Sequence, residues 1–377
     1  MHDNRKSSFG SAKRAVVKVG SGVLTRDDGL NLRAVKSISR QICRLIDRGL
    51  EIILVSSGAM ASGIKKIGLA RRPDEIPQRQ AVAAVGQAGL IMEYEKAFAR
   101  HGKKVAQILL TGEDLDNRIR YLNARNTLRT LLSWKVVPII NENDTVMVEE
   151  IKFGDNDNLA AMIALLMDAD ILISLTDIDG LYTRDPRAHT DAELIPVVAR
   201  IGGDIEKIAG NIPGALGTGG MLSKIEAARK VTSAGIPMVI SRGEKADILI
   251  KLFEGKDLGT FFVPKTKKIK SRKCWIAFTL KPKGAIFVDA GAASAILNGG
   301  KSLLPSGILR VEGDFGVGAP VDCRRSDSEL LGRGLVNYSA ADIRKIMGLR
   351  SSKIKERLGH KPYDEVIHRD NLVITCA

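Results

Sequence analysis

The chain has 377 residues, enough for two or three domains with an ample core, and its 44% hydrophobic content is ordinary for a globular protein. No apolar run approaches the ~18 residues of a membrane span, and the polar, basic start MHDNRKSSFGSAKR is followed by nothing of signal-peptide type, so no membrane association is expected. The formal net charge is +15; the last 112 residues carry 20 Lys and Arg against 11 Asp and Glu, a net +9 that suits an anionic partner such as RNA and equally serves solubility. Four cysteines (Cys43, Cys274, Cys323, Cys376) lie far apart without metal-ligand spacing, and the five histidines are scattered. They read as reduced packing residues of a cytoplasmic protein, and no zinc site is expected.

In chain order, AVVKV (Ala15–Val19) reads as a short strand ending in Gly20-Ser21-Gly22, a loop whose backbone N–H groups suit phosphate. Lys18 lies inside that apolar strand. It is either a phosphate-binding lysine or an edge-strand lysine facing water, and the glycine loop immediately after it favours the first. No G-x-x-x-x-G-K-[ST] sequence is present, which excludes a P-loop nucleotidase. Asn31–Arg48 has helical spacing with Gly49 as its stop. EIILV (Glu51–Val55) is the next strand, and Ser56-Ser57-Gly58-Ala59 exposes backbone amides at the start of a helix near Ala59. Arg79–Arg100 reads as a long scaffold helix whose small residues permit close packing. Val105–Leu110 is a strand and Arg120–Ser133 a helix.

VVPII (Val136–Ile140) reads as a buried parallel strand. It runs into NENDTVMVEEIKFGDNDN (Asn141–Asn158) and then an amphipathic helix, Leu159–Met167, opened by the cap formers Asp155 to Asn158. Carboxylates and amides thus cluster at a strand's carboxyl end, where open α/β sheets bind small polar ligands. Asp144, Asn156 and Asp157 suit an ammonium or a lysine; Asn143 and Asn156 suit a carboxylate. One such cluster is ordinary loop and cap chemistry, but two within one strand–helix unit favour a site. ILISL (Ile171–Leu175) leads into Thr176-Asp177, either a hydroxyl and carboxylate for a sugar or base edge or simple turn chemistry. LGTGGMLSK (Leu216–Lys224), ahead of a helix Ile225–Ala234, resembles a phosphate-cradling loop with a second lysine. PMVIS (Pro237–Ser241) closes the α/β region.

The lysine-rich PKTKKIKSRK (Pro264–Lys273) reads as a linker between residues 1–263 and 274–377. Beyond it, WIAFTL, GAIFVDAG, GILRVEGDFGVGAPVDC and GRGLVNYS read as short strands with glycine turns, and Ala290–Asn298 and Ala340–Ile346 as helices. That pattern predicts a small, mostly β barrel or sandwich.

Taken together, VVKVGSGVL, VSSGA, LNARNTL, VVPIINENDTV, KFGDNDNLA, ISLTDIDGLYTRDPR and LGTGGMLSK resemble the glutamate 5-kinase branch of the amino acid kinase family. GILRVEGDFGVGAPV and GRGLVNYSAADIRKIMG resemble its appended PUA domain. The pattern departs in two places: Ser21-Gly22 stands where a Ser/Thr pair is commoner, and Ser223 where Thr is usual. The resemblance implies an α/β/α sandwich with a mostly parallel open sheet plus a PUA-like barrel. It also implies ATP- and Mg²⁺-dependent phosphorylation of the γ-carboxylate of L-glutamate, the first step toward proline. Ser57, Gly58, Asp144 and Asn156 would hold glutamate. Gly20, Thr176, Asp177 and the run Thr218, Gly219, Gly220, Met221 to Lys224 would hold the nucleotide. Lys18 and Lys224 would flank the moving phosphoryl group, with Asp157 orienting them and Mg²⁺ carried mainly by nucleotide phosphates. Proline as feedback inhibitor, a homo-oligomer and a glutamyl phosphate reductase as partner belong to the same expectation. Two rivals stand beside it: a sibling carboxylate or carbamate kinase with another acceptor, and an RNA-binding protein acting through its basic C-terminal module.

Overall fold

A computed structural model describes residues 2–26, 29–146, 156–210, 220–265, 273 and 275–374. The chain divides into two compact units, residues 1–268 and 269–377. The lysine-rich stretch read as a linker lies, from 266 to 272, outside the described residues.

The first unit is built on an eight-stranded sheet. In chain order its strands are β1 (Arg14–Val19), β4 (Glu51–Ser56), β5 (Lys104–Leu110), β6 (Val136–Glu142), β7 (Ile171–Thr176), β8 (Val197–Val198), β9 (Met238–Arg242) and β10 (Thr260–Phe262), while β2 (Thr25–Arg26) and β3 (Gly29–Leu30) form a separate hairpin. The spatial order is β5-β6-β4-β1-β7-β9-β10-β8, parallel from β5 to β9, with β10 antiparallel to β9. These strands are nearly continuous runs of Val, Ile and Leu because both faces of such a sheet are covered. β1 is central, so Lys18 is no edge residue: it pairs in register with Val55 on one side and Ser174 on the other. The chain leaves β1 toward β4 and β6, then returns to β7 on its other flank. The crevice at the carboxyl ends of β4, β1 and β7 is therefore the topological switch point, where such sheets bind ligands.

Helices α1 (His2–Ser11), α2 (Ser21–Leu24), α3 (Leu32–Asp47), α4 (Ala59–Ile67), α5 (Ile76–Ala99), α6 (Gly112–Asp116), α7 (Arg118–Ser133), α8 (Asn156–Leu166), α9 (Gly203–Gly210), α10 (Met221–Ser233) and α11 (Ile248–Phe253) accompany the sheet. Asn31 caps α3, its side chain accepting from Ala34 N–H at 3.2 Å. α4 and α5 touch backbone to backbone: a Cβ on Gly86 would come within 1.8 Å of the Ala59 carbonyl oxygen, and one on Gly63 within 1.9 Å of that of Val82. The small residues of α5 thus fix where α4 begins, and that beginning is a wall of the site described below.

Several elements differ from the sequence expectation. The polar N-terminus forms α1, held by Phe9, which packs edge-to-face on Phe253 at 5.2 Å, and by the buried Arg5, whose guanidinium donates to the Leu258 carbonyl. α8 is not amphipathic, since every residue from Leu159 to Leu166 is buried; it begins at Asn156, so Asn156 and Asp157 are first-turn residues. Asp155 lies outside the described residues. α10 begins at Met221 rather than Ile225, which moves Lys224 from a loop into a helix's first turn. The α/β region continues past β9 through α11 and β10.

The second unit has its own core around a five-stranded sheet, β12-β11-β13-β14-β15: β11 (Gly284–Val288), β12 (Ile308–Gly313), β13 (Pro320–Arg325), β14 (Leu330–Leu335) and β15 (Leu372–Ile374). All its pairings are antiparallel except β11 with β13. WIAFTL, expected as a strand, is a π-helical turn over Trp275–Thr279; a short apolar run carries no period that separates the two. Of the cysteines, burial pushes the Cys43 thiol up to about 11 and that of Cys323 to about 12, so both sit in the core as thiols. Cys274 and Cys376 lie outside the described residues. Among the described residues, no helix is long and apolar enough to cross a membrane.

Candidate active site

Two adjacent residues at the start of α8 organise the switch-point crevice. Successive helical side chains point about 100° apart, so Asn156 and Asp157 address two different neighbourhoods.

Asp157 is 3% exposed and gathers two lysines. Lys18 Nζ, from the middle of β1, lies 2.6 Å from Oδ1, and Lys224 Nζ, from the first turn of α10, lies 3.0 Å from Oδ2. Ser174 Oγ on β7 donates to Oδ1 at 3.3 Å, and the Ser223 hydroxyl sits 3.1 Å from Oδ2 and 2.9 Å from the Gly220 carbonyl oxygen. Ser174 reaches Asp157 because the β1–β7 register sets it beside Lys18. Lys18 and Lys224 are themselves 5% and 6% exposed. Burial alone would raise the Asp157 pKa, but the two ammonium groups outweigh it and hold the carboxyl well below the usual carboxylate range. Lysines buried to this degree are found where they meet anions.

Around them lie the features of an anion site. Gly220 is extended at the start of the 13-residue helix α10, whose first N–H groups have no intrahelical acceptor. A side chain on Gly20 would put its Cβ 3.7 Å from Lys18 Nζ and 3.2 Å from the Leu175 carbonyl oxygen, so glycine keeps that approach clear. At the end of β7, the Thr176 hydroxyl donates to Asp177 at 2.9 Å, and Asp177 packs where a Cβ on Gly22 would come within 3.1 Å. Thr218 and Gly219 lie outside the described residues.

Asn156, 6% exposed, faces the other way. Its Nδ2 donates to Asn141 Oδ1 at 3.0 Å and to Ser57 Oγ at 3.1 Å, while its buried Oδ1 has no hydrogen-bond partner among the described residues. It lines a cavity of about 210 Å³ together with Ser57, Gly58, Asn141, Asp144 and Arg72. Gly58 caps α4 with φ +106°, the left-handed region that glycine adopts freely. Asp144 is half-buried, and burial, offset in part by Arg72, raises its carboxyl to about 6.

The structure thus brings Lys18, Lys224, Asp157, Gly20, Gly220 and Met221 to one neighbourhood, and Ser57, Gly58, Asp144 and Asn156 to the next. Asn143 does not line the cavity; Asn141, two residues earlier on β6, does. Sequence reasoning also missed Ser174 and Arg72. The lone hydroxyl inside ILISL was a signal for Ser174. Arg72 gave none, since it stands in the charged connection RRPDE.

The chain is similar to known proteins along almost its whole length. The model of the Amino acid kinase family matches residues 13–241, and that of the PUA domain residues 284–358. A protein named glutamate 5-kinase from Syntrophus aciditrophicus (strain SB) is 52% identical over 374 residues, covering 99% of this chain and 97% of that one. Another of the same name from Geobacter sulfurreducens is 50% identical over 371 residues, covering 98% and 100%. Among solved structures, a carbamate kinase from Giardia lamblia bound to AMP-PNP is 16% identical, covers 68% of this chain and 100% of its own, and superposes with a TM-score of 0.50, a likeness of fold. With one family model spanning well over half its length and full-length relatives near 50% identity, the chain belongs to the amino acid kinase family.

Proposed function

We propose that this chain transfers the γ-phosphoryl group of ATP to the γ-carboxylate of L-glutamate, giving L-glutamyl 5-phosphate and ADP, the entry to proline biosynthesis. The observation that carries this reading is the start of α8. One residue, Asn156, faces a cavity of amino-acid size, and the next, Asp157, holds two buried lysines. A cavity of about 210 Å³ falls below the ~300–1,000 Å³ of sites for drug-sized ligands.

The γ-carboxylate has an ordinary pKa of about 4.3, so it is ionised at neutral pH and attacks without a general base. One of its oxygens forms a bond to the γ-phosphorus, the bond from that phosphorus to the β–γ bridging oxygen breaks, and ADP leaves with that electron pair. No proton moves. The obstacle is repulsion between a carboxylate and a triphosphate, and phosphoryl transfer is mainly positioning and charge stabilisation. Lys18 and Lys224 supply fixed positive charge from opposite sides, and Asp157 holds them in place before the substrates arrive. The amides at the start of α10, with Gly20, Gly220 and Met221, receive phosphate oxygens; Thr176 and Asp177 border the nucleoside side. Thr218 and Gly219 are carried into this proposal by resemblance alone. Mg²⁺, bound with the nucleotide, supplies further charge neutralisation. Asp157 is taken up by two lysines and two hydroxyls, so it would orient those lysines rather than ligate the metal, which would be carried mainly by the nucleotide.

In the cavity, Asp144 and the unpartnered Asn156 Oδ1 take the α-ammonium, and Ser57 and Gly58 line the path of the side chain. Ionised Asp144 is the binding form. Its carboxyl titrates near 6 in the free protein, and an ammonium partner lowers that value, so glutamate binding weakens as pH falls through 6. The glutamate KM is expected to rise roughly fivefold between pH 6 and 5 with little change in kcat. Asp144→Asn raises KM at neutral pH and flattens this dependence. Collapse of ATP affinity in that variant would contradict the assignment.

Feedback by proline, a homo-oligomeric assembly, a cytoplasmic setting and hand-over of the acyl phosphate to a reductase belong to the same proposal, on the strength of the resemblance to glutamate 5-kinases. The reading of the chain as foremost an RNA-binding protein is not favoured, because the first unit carries the lysine–aspartate cluster and relatives of the kinase run the full length. The test is to trap the product with hydroxylamine. Wild-type protein with ATP, Mg²⁺ and glutamate is expected to form γ-glutamyl hydroxamate; its absence overturns the function.

A further inference from the structure

Besides Asp144, two charged side chains line the cavity without a role in the resemblance, Glu142 and Arg72, and Arg72 is the cation. Arg72 lies in the connection between α4 and α5 and lines the cavity with Ser57, Asp144 and Asn156. It is half-buried, its Nε is shut off from solvent, and among the described residues its guanidinium has no hydrogen-bond or ion-pair partner. A guanidinium stays charged and offers five donors in a fixed fork, so withdrawing it from water without an acceptor is costly unless an anion arrives. Burial and the neighbouring Arg79 work against its charge, and Asp144 works for it.

Asp144 stands in the same condition. It sits on the turn after β6, half-buried, with no hydrogen-bond or ion-pair partner among the described residues. The two opposite charges are near enough to favour each other's ionised form, yet they do not close into an ion pair. Each is mounted on a separate element, and the cavity lies with them. A gap of this kind is filled by a ligand that carries both charges a bond or two apart, which describes the head of an α-amino acid.

We propose that Arg72 binds the α-carboxylate of the substrate while Asp144 takes its α-ammonium, so that the two together read the zwitterionic head and direct the γ-carboxylate toward the lysines. This inference rests on the glutamate reading and names a specificity-determining residue within it. Planar, forked recognition of a carboxylate is the task for which arginine is suited and lysine is not. A dicarboxylate without the ammonium leaves Asp144 unmatched, and an ω-amino acid without the α-carboxylate leaves Arg72 unmatched. Both are rejected by an unpaired, partly buried charge. The competing receptor for the α-carboxylate is the backbone at Gly58 and Ala59, which lines the same cavity.

The experiment compares L-glutamate with its α-carboxamide, which keeps the ammonium and the reacting γ-carboxylate, as acceptors in the hydroxamate assay. Wild type, Arg72→Met and Arg72→Lys are assayed at saturating ATP. In Arg72→Met, kcat/KM for glutamate is expected to fall roughly 10- to 100-fold, the scale of a hydrogen-bonded charge contact. The loss lies mostly in KM, and the value for the carboxamide changes little. Arg72→Lys keeps the charge but not the fork, and retains part of the preference for glutamate. An equal loss on both acceptors, or an unchanged ratio between them, overturns the inference and returns the α-carboxylate to the backbone amides. Should Arg72→Met fold poorly, the ratio of the two acceptors in Arg72→Lys decides alone: a ratio equal to wild type counts against Arg72. Absence of any hydroxamate from wild type with glutamate is a different failure, which sinks the parent reading and Arg72's role with it.

Discussion

Replacing Lys224 by alanine lowers the turnover number by roughly 10²–10³, the scale of losing one preorganised charge contact to a transition state. KM for glutamate stays near its wild-type value, because the α-amino-acid head is held in the neighbouring cavity, on the Asn156 side of α8. Folding is largely retained. Asp157 keeps Lys18 at 2.6 Å and the Ser174 hydroxyl at 3.3 Å, so no buried carboxylate is left without a partner. Steady-state kinetics with a thermal melt separates these effects. Turnover near wild type would remove Lys224 from the chemistry.

Removing the shared partner has a different consequence. Asp157→Ala leaves two ammonium groups, 5% and 6% exposed, without the carboxylate that both contact. Deleting one member of a buried ionic cluster typically costs about 3–5 kcal/mol, so this variant is expected to lose more stability than Lys224→Ala. It is also expected to lose activity at least as severely, since both lysines lose their anchor. Chemical denaturation measures the first effect and hydroxamate formation the second. Lys224→Ala proving the less stable of the two would mean that Asp157 is not the centre of the cluster. High concentrations of ATP are expected to restore part of the stability of Asp157→Ala, because bound phosphate replaces the negative charge that the two lysines lose.

How far the fold was legible in the sequence depends on what each element is buried against. β1, β4, β6 and β7 are readable because a doubly covered parallel sheet demands uninterrupted Val, Ile and Leu, and the polar residues that follow each strand mark its carboxyl end. Lys18 was readable for the same reason, as the one cation inside such a run. α1 was not, because its ten residues owe their place mainly to Phe9 and Arg5 meeting α11 and the segment after it, some 250 positions away in the chain. The first turn of α10 was hidden by glycines that read equally well as loop or helix start. The most instructive omission is Arg72. Its meaning comes from standing across a cavity from Asp144, and nothing in the order of residues from 70 to 75 distinguishes it from the solvated Arg71 beside it.

The paired layout of α8 also explains why neighbouring sites stay in register. Asn156 and Asp157 are consecutive and buried, so any tilt of the helix start moves the amino-acid cavity and the lysine cluster together. That coupling lets a short acceptor and a long donor meet at one place without a mobile catalytic base.

The central claim is that Lys18 and Lys224 both contact the phosphoryl group as it passes to the γ-carboxylate. A crystal structure of the protein with ADP, Mg²⁺, aluminium fluoride and L-glutamate measures it directly. The account predicts both Nζ atoms within about 3 Å of the fluoride equator, with Asp157 still joining them and the γ-carboxylate in line with the leaving oxygen of ADP. Either ammonium group turned away from the planar fluoride, with the carboxylate in line, would contradict it.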